Sequence, residues 1–128
     1  MDRITADIVI AGGGVAGLTA AAAFGTAGFD VVIVDPTAPV TDAAAEGADL
    51  RTTAFLQPAQ AFLDRAGLWD RLAPSATALQ IMRIVDVSGA EDKPHTAADF
   101  DAADISDLPF GWNLPNWQLR RAMVARLA

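Results

Sequence analysis

The apolar positions of this chain fall into two kinds of pattern. Asp7-Ile8-Val9-Ile10-Ala11 and Val31-Val32-Ile33-Val34 are short, nearly continuous apolar runs rich in β-branched residues. Such runs predict strands buried on both faces, as in a parallel sheet. Between them, Val15 to Phe24 is rich in alanine and helix-forming, and Gly25 and Gly28 offer stops. Strand, helix and strand take about 30 residues, the length of a βαβ crossover. Further on, a helix is expected from Pro58, with Phe55, Ala59, Phe62 and Ala66 on one face and Gly67 ending it. Leu68 to Leu72 reads as a short turn stopped by Pro74, and Phe55, Phe62, Leu63 and Trp69 as core. LQIMRIVDV, Leu79 to Val87, predicts a strand closed by a Ser88-Gly89 turn, with a hairpin return near Ala97 to Phe100. Pro109 to Asn113 leads to Asn116, an expected N-cap, and Trp117 to Leu127 predicts a helix with Leu119, Met123 and Leu127 on one face.

The long apolar opening has a rival reading as a signal peptide or membrane span. From Ala6 to Phe29 only Asp7 and no other residue is charged, which is length enough to cross a bilayer. Gly12-Gly13-Gly14 argues against it, because each glycine inside a helix costs about 1 kcal/mol relative to alanine.

In the βαβ reading those glycines have work. Gly12 to Gly17 matches G-x-G-x-x-G between a strand and a helix. Gly12 allows a tight turn, Gly14 lets backbone approach a pyrophosphate, and Gly17 lets helix and strand pack closely. Val15 and Ala16 open the helix, whose free N–H groups and dipole attract phosphate. Asp35 lies 18 residues after Gly17 at the end of the second strand, where a carboxylate accepts ribose hydroxyls. The alternative is a glycine turn that binds nothing.

Composition narrows the partners. The chain has 128 residues, is 52% hydrophobic and carries a net charge of −7. A sizeable core is affordable, and a nucleic-acid groove is disfavoured. Arg120, Arg121 and Arg126 form the one basic cluster, read as a solvated helix face. There is no cysteine, which excludes disulfides and thiolate chemistry and fits a reducing compartment. The single histidine, His95, sits in a polar stretch. No metal site and no catalytic residue is assigned. Only two parallel strands can be counted, where a doubly wound sheet has about five or more, so an N-terminal piece of a larger protein is expected.

DIVIAGGGVAGLTAAAAFGTAGFDVVIVD resembles the FAD-binding start of the flavin-dependent aromatic hydroxylases. DLRTTAFLQPAQAFLDRAGLWDRLAP, LQIMRIVDVSG and NWQLRRAMVARL are similar to the ubiquinone-biosynthesis branch. The resemblance implies an α/β fold: a Rossmann-like FAD-binding βαβ start of a parallel sheet, with helices and part of an antiparallel β segment. Residues 1–36 would be the dinucleotide-binding unit and residues 79–107 a β segment toward the substrate domain of a two-domain flavoprotein. It further implies non-covalent FAD reduced by NAD(P)H, oxygen insertion into an activated phenol ring, and FAD contacts from Gly12, Gly14, Val15, Ala16, Gly17, Asp35 and Arg51. A surface pair with Asp49 is the alternative for Arg51. The family's later Asp-Gly and Gly-Asp cofactor motifs do not occur after Asp35 in a suitable context, so the flavin-ring and substrate pockets are expected to lie outside this chain, and the chain alone to be inactive. A cytoplasmic location is expected, and a lipophilic quinone-type substrate leaves peripheral contact with the inner membrane open. Other FAD oxidoreductases, an NAD-dependent dehydrogenase and a non-enzymatic adenine-nucleotide module stay open as alternatives.

Overall fold

The computed structural model describes residues 3–88 and 94–128. Strand β1 (Ile8–Ala11), helix α1 (Val15–Thr26) and strand β2 (Val31–Val34) form the expected crossover, and β1 pairs parallel with β2, Ile8 opposite Val31. Helix α1 runs through Gly25 to Thr26, and Gly28, just past its cap residue Ala27, has a φ of +94° that suits glycine. The Phe29 amide reaches back to Phe24 O at 3.1 Å, a Schellman closure. Helix α1 covers only one face of the strand pair. Val9 on the other face is 67% exposed, so the expected two-sided burial is not met among the described residues.

The middle of the chain differs from the sequence reading. Strand β3 (Thr52–Leu56) contains Phe55, which was expected on a helix face. Its β-branched and aromatic residues favour extended backbone. Helix α2 (Gln57–Arg65) starts one residue before Pro58 and closes at Gly67, φ +70°, with Leu68 N bonded to Leu63 O at 3.0 Å. Phe62 points outward at 43% exposure, while Leu63 is buried. Helix α3 (Trp69–Leu72) continues into a 3-10 turn that includes Pro74 rather than stopping before it.

The strand expected over Leu79–Val87 is two strands. β4 (Thr77–Leu79) belongs to one sheet and β5 (Ile81–Asp86) to another, with the break at Gln80, whose carbonyl accepts from Ala102 N at 2.8 Å. β5 and β6 (Thr96–Asp101) form the expected hairpin, in which the Arg83 and Asp99 side chains pair across the strands. Gly89 of the expected turn lies outside the described residues. Strand β7 (Gly111–Pro115) is the centre of an antiparallel sheet in the order β3-β7-β4. A methyl group on Gly111 would collide with the backbone of Phe55 and Leu56, so glycine permits the β3–β7 approach. Helix α4 (Asn116–Leu127) begins directly after it. Its cap position is Pro115, not Asn116, whose side chain is used elsewhere.

The core joins the helices to the β3-β7-β4 sheet and to β2, and leaves the β5–β6 hairpin outside it. Leu18 and Ala22 of α1, Leu63 of α2 and Ala66 just after it, Leu68, Leu72, Leu114 of β7 and Leu119 and Met123 of α4 form one buried cluster. Trp69 packs edge-on against Trp112 at 5.4 Å between ring centroids. Leu127, expected beside Leu119 and Met123, is 37% exposed at the end of its helix. The α1–α4 contact matters most for function, because it brings α4 beside the glycine loop. Among the described residues no helix is long and apolar enough to cross a membrane, and no acidic, histidine or cysteine cluster could hold a metal.

Candidate functional site

The glycine loop is built as its sequence requires. Gly12 has φ +113°, a left-handed turn out of β1, and its amide bonds to Val34 O at 2.8 Å. A methyl group on Gly17 would run into the Gly12 carbonyl oxygen, so helix and strand meet only because Gly17 has no side chain. Gly14 occupies the N-cap position with open space around it. Helix α1 has no side-chain cap and no acid in its first turn. The amides of Val15, Ala16 and Gly17 precede the first α-helical bond, made by Leu18 N to Gly14 O at 2.9 Å. They are the donors that a helix start leaves for an anion.

Asp35 follows β2 and meets this loop. Its Oδ2 accepts from Gly13 N at 2.6 Å, and its Oδ1 accepts from Thr37 N at 2.9 Å. These amides, Gly13 first, hold its carboxyl below the ordinary carboxylate range. Each oxygen keeps acceptor capacity for a further donor.

A cavity of about 260 Å³ opens here, lined by Gly13, Gly14, Asp35, Thr37, Gly47 and Arg120 among others. A larger neighbouring space of about 510 Å³ shares Gly13 and Asp35 and adds the apolar side chains of Leu18, Ile33, Val124 and Leu127. Arg120 was not expected at this site. Of the three arginines read as a solvated face, Arg121 is exposed and Arg126 donates to Thr26 Oγ1 at 3.2 Å. Arg120 is largely buried, and its Nε has no hydrogen-bond partner. A buried cationic donor left unpaired beside a glycine loop suits an anionic ligand.

Arg51 stands apart from the cavity lining. Its side chain, 84% exposed, forms a two-pronged pair with Asp49, Nε to Oδ1 and Nη2 to Oδ2 both at 2.9 Å. Asp49 also accepts from Asn116 Nδ2 at 3.0 Å, and Thr53 Oγ1 donates to Asn116 Oδ1 at 2.6 Å. The Arg51 guanidinium, then Asn116, holds the Asp49 carboxyl far below its usual range. The expected surface pair of Arg51 with Asp49 is present, but the sequence reading gave Gly13, Asp49 and Arg120 no part in the site. The Gly-Gly-Gly run and the acid two places before Arg51 were the available signals.

A glycine turn and a strand-end carboxylate at one cavity, with free helix amides directly behind the turn, define a dinucleotide-binding βαβ protein. The residues present fit an FAD pyrophosphate: an open approach at Gly14, unpaired amides, and Arg120, whose buried Nε has no partner, in the lining of the same cavity. The chain belongs to the FAD binding domain family, whose model matches residues 5–127. It is 34% identical over 122 residues to the ubiquinone hydroxylase UbiL of Rhodospirillum rubrum, covering 95% of this chain and 27% of that protein. Its fold superposes on p-nitrophenol 4-monooxygenase PnpA from Pseudomonas putida DLL-E4 with a TM-score of 0.70 at 26% identity, covering 99% of this chain and 30% of that one. The flavin-dependent monooxygenase PieE, solved with FAD and substrate, gives a TM-score of 0.69 at 24% identity over 99% of this chain and 22% of its own. The chain thus spans under a third of the length of each.

Proposed function

We infer that this chain is the FAD-binding N-terminal portion of a flavin-dependent monooxygenase that hydroxylates an aromatic, ubiquinone-precursor-like substrate with NAD(P)H and O2. The observation that carries the cofactor reading is the meeting of the Gly13 and Gly14 backbone, Asp35 and Arg120 around one cavity at the start of α1. The similarity to a ubiquinone hydroxylase supports the substrate class. Bound FAD supplies the redox chemistry. The residues of this chain hold and orient it: the amides of Val15, Ala16 and Gly17 take the pyrophosphate, Asp35 accepts adenosine ribose hydroxyls, and Arg120 neutralises phosphate charge. Gly12 shapes the turn out of β1, and the missing side chain of Gly17 lets helix and strand meet while its amide stays free for the phosphate. Arg51, outside the cavity lining and paired with Asp49, reaches the cofactor only by leaving that partner. The β5–β6 hairpin, exposed along its whole length, extends toward the substrate-binding part of the larger enzyme, which works in the cytoplasm on a small molecule.

Quenching of flavin fluorescence by this chain, with ADP and NADH as competitors, tests the cofactor reading. Saturable FAD binding displaced by ADP supports it. Binding of adenine nucleotides without any flavin binding favours a nucleotide module instead. NADPH or NADH oxidation dependent on a phenolic quinone precursor, measured on a longer protein containing this chain, tests the reaction.

A further inference from the structure

The Asp49 carboxylate is a junction between elements far apart in sequence. It lies in the segment before β3, and it gathers Arg51 from that segment and Asn116 from the first turn of α4. Arg120, one turn further along α4, brings its Nη2 to 3.8 Å from the same Oδ2. Asn116 is itself clasped to Thr53, and its amide bonds to Arg51 O at 2.9 Å. The Asp49 side chain is 13% exposed and that of Arg120 24%. Arg120 therefore has one end of its guanidinium turned toward a shielded carboxylate. Arg120 also lines the glycine-loop cavity, and its buried Nε has no hydrogen-bond partner.

A carboxylate so close to a phosphate site is an electrostatic liability. It repels the ligand's charge and competes for the arginine. That cost is offset only if the carboxylate does something for binding.

We propose that Asp49 is a positioning residue for the dinucleotide site: it holds the Arg120 guanidinium in place across the cavity from the glycine loop, so that an incoming pyrophosphate meets a cation already oriented. The proposal rests on the FAD reading of the cavity. Asp49 touches no ligand and acts through Arg120. Because Arg51 supplies two of the charged donors to Asp49, it keeps the carboxylate ionised and fixed, and this is a role for Arg51 that requires no contact with the cofactor.

Asp49→Asn gives a test in which the two effects have opposite signs. It removes a negative charge beside an anion site with little change in shape. If Asp49 were a bystander, FAD and ADP would bind equally well or more tightly. If it positions Arg120, binding weakens by about tenfold, the scale of one oriented charge-assisted hydrogen bond. The measurement is flavin-fluorescence quenching, with ADP competition, for wild type, Asp49→Asn, Arg120→Met and the double variant, with thermal unfolding in parallel. In the Arg120→Met background the Asp49 substitution should have no further effect, a coupling that a general loss of stability would not produce. Asp49→Glu keeps the charge but displaces it by one methylene, and gives an intermediate affinity even if the Asn variant does not fold. Unchanged or tighter binding by Asp49→Asn, or additive effects in the double variant, overturns the proposal and leaves the FAD reading standing. Failure of the folded wild type to bind either FAD or ADP overturns both.

Discussion

The Asp35 carboxylate accepts a 2.6 Å hydrogen bond from the amide of Gly13, across 22 positions of chain. The end of β2 therefore fastens the glycine loop before any ligand arrives. Asp35→Ala should weaken FAD and ADP binding by about tenfold or more, because it removes a ribose acceptor and frees the loop together. Asp35→Asn, which can still offer an oxygen to Gly13, should lose less. Fluorescence titration of the two variants separates these effects.

The same bond fixes a pH dependence. The folded-state pKa of Asp35 lies below its ordinary value of 3.8. Its contribution to stability is thus fully present above the unfolded pKa and lost as pH falls through the folded one. Asp49 is shifted the same way and further. The gap in thermal midpoint between wild type and Asp35→Asn should be constant from pH 7 to about pH 5 and narrow as the medium approaches about pH 3. A gap that widened on acidification would contradict the hydrogen-bond account.

Gly14 and Gly17 should fail in different ways. Gly14 has a φ of −76° and open space around it, so Gly14→Ala should fold with a change under about 1 kcal/mol while losing cofactor affinity. Gly17→Ala forces β1 and α1 apart against the Gly12 carbonyl and should cost about 3 kcal/mol, lowering the melting temperature whether or not FAD is added. Urea unfolding and FAD titration on both variants provide the comparison.

Leu119 is fully buried where α4 meets the rest of the core. Leu119→Ala should destabilise the chain by about 3 kcal/mol through lost transfer energy and a residual cavity. Because α4 carries Arg120, the same substitution should also weaken FAD binding in protein that is still folded. Calorimetry and binding at a temperature well below the midpoint would show it.

This chain by itself should show no substrate-dependent oxidation of NAD(P)H. It spans 27% of the ubiquinone hydroxylase it resembles and 30% of the p-nitrophenol monooxygenase. Stopped-flow or steady-state assays with phenolic quinone precursors check this, and turnover by the chain alone would overturn the division of labour inferred here.

The βαβ unit was legible because everything that specifies it is local. β-branched runs favour strands, Gly12 tolerates a positive φ that side chains avoid, and Asp35 follows its strand directly. The hairpin return near Ala97 was legible for the same reason, since β5 and β6 are neighbours in the chain. Phe55 is expected on a helix because its spacing of seven to Phe62 matches a helix face, whereas the strand it forms depends on a distant partner. That partner, β7, pairs Phe55 with Trp112, and no periodicity within Pro109 to Pro115 announced it.

The amino-acid sequence by itself thus determined the glycine turn, the helix behind it and the acid beside it, since each depends on backbone freedom or residue order within a few dozen positions. Tertiary structure alone decided that Arg120 faces that turn, that Asp49 and Asn116 meet across 67 positions, and that LQIMRIVDV is divided between two sheets. The physical reason is range. Helix and turn signals are written in neighbouring residues. Where a charged side chain lies depends on distant elements: α1 packs against α4 and brings it beside the glycine loop, and Asp49 lies 3.8 Å from Arg120.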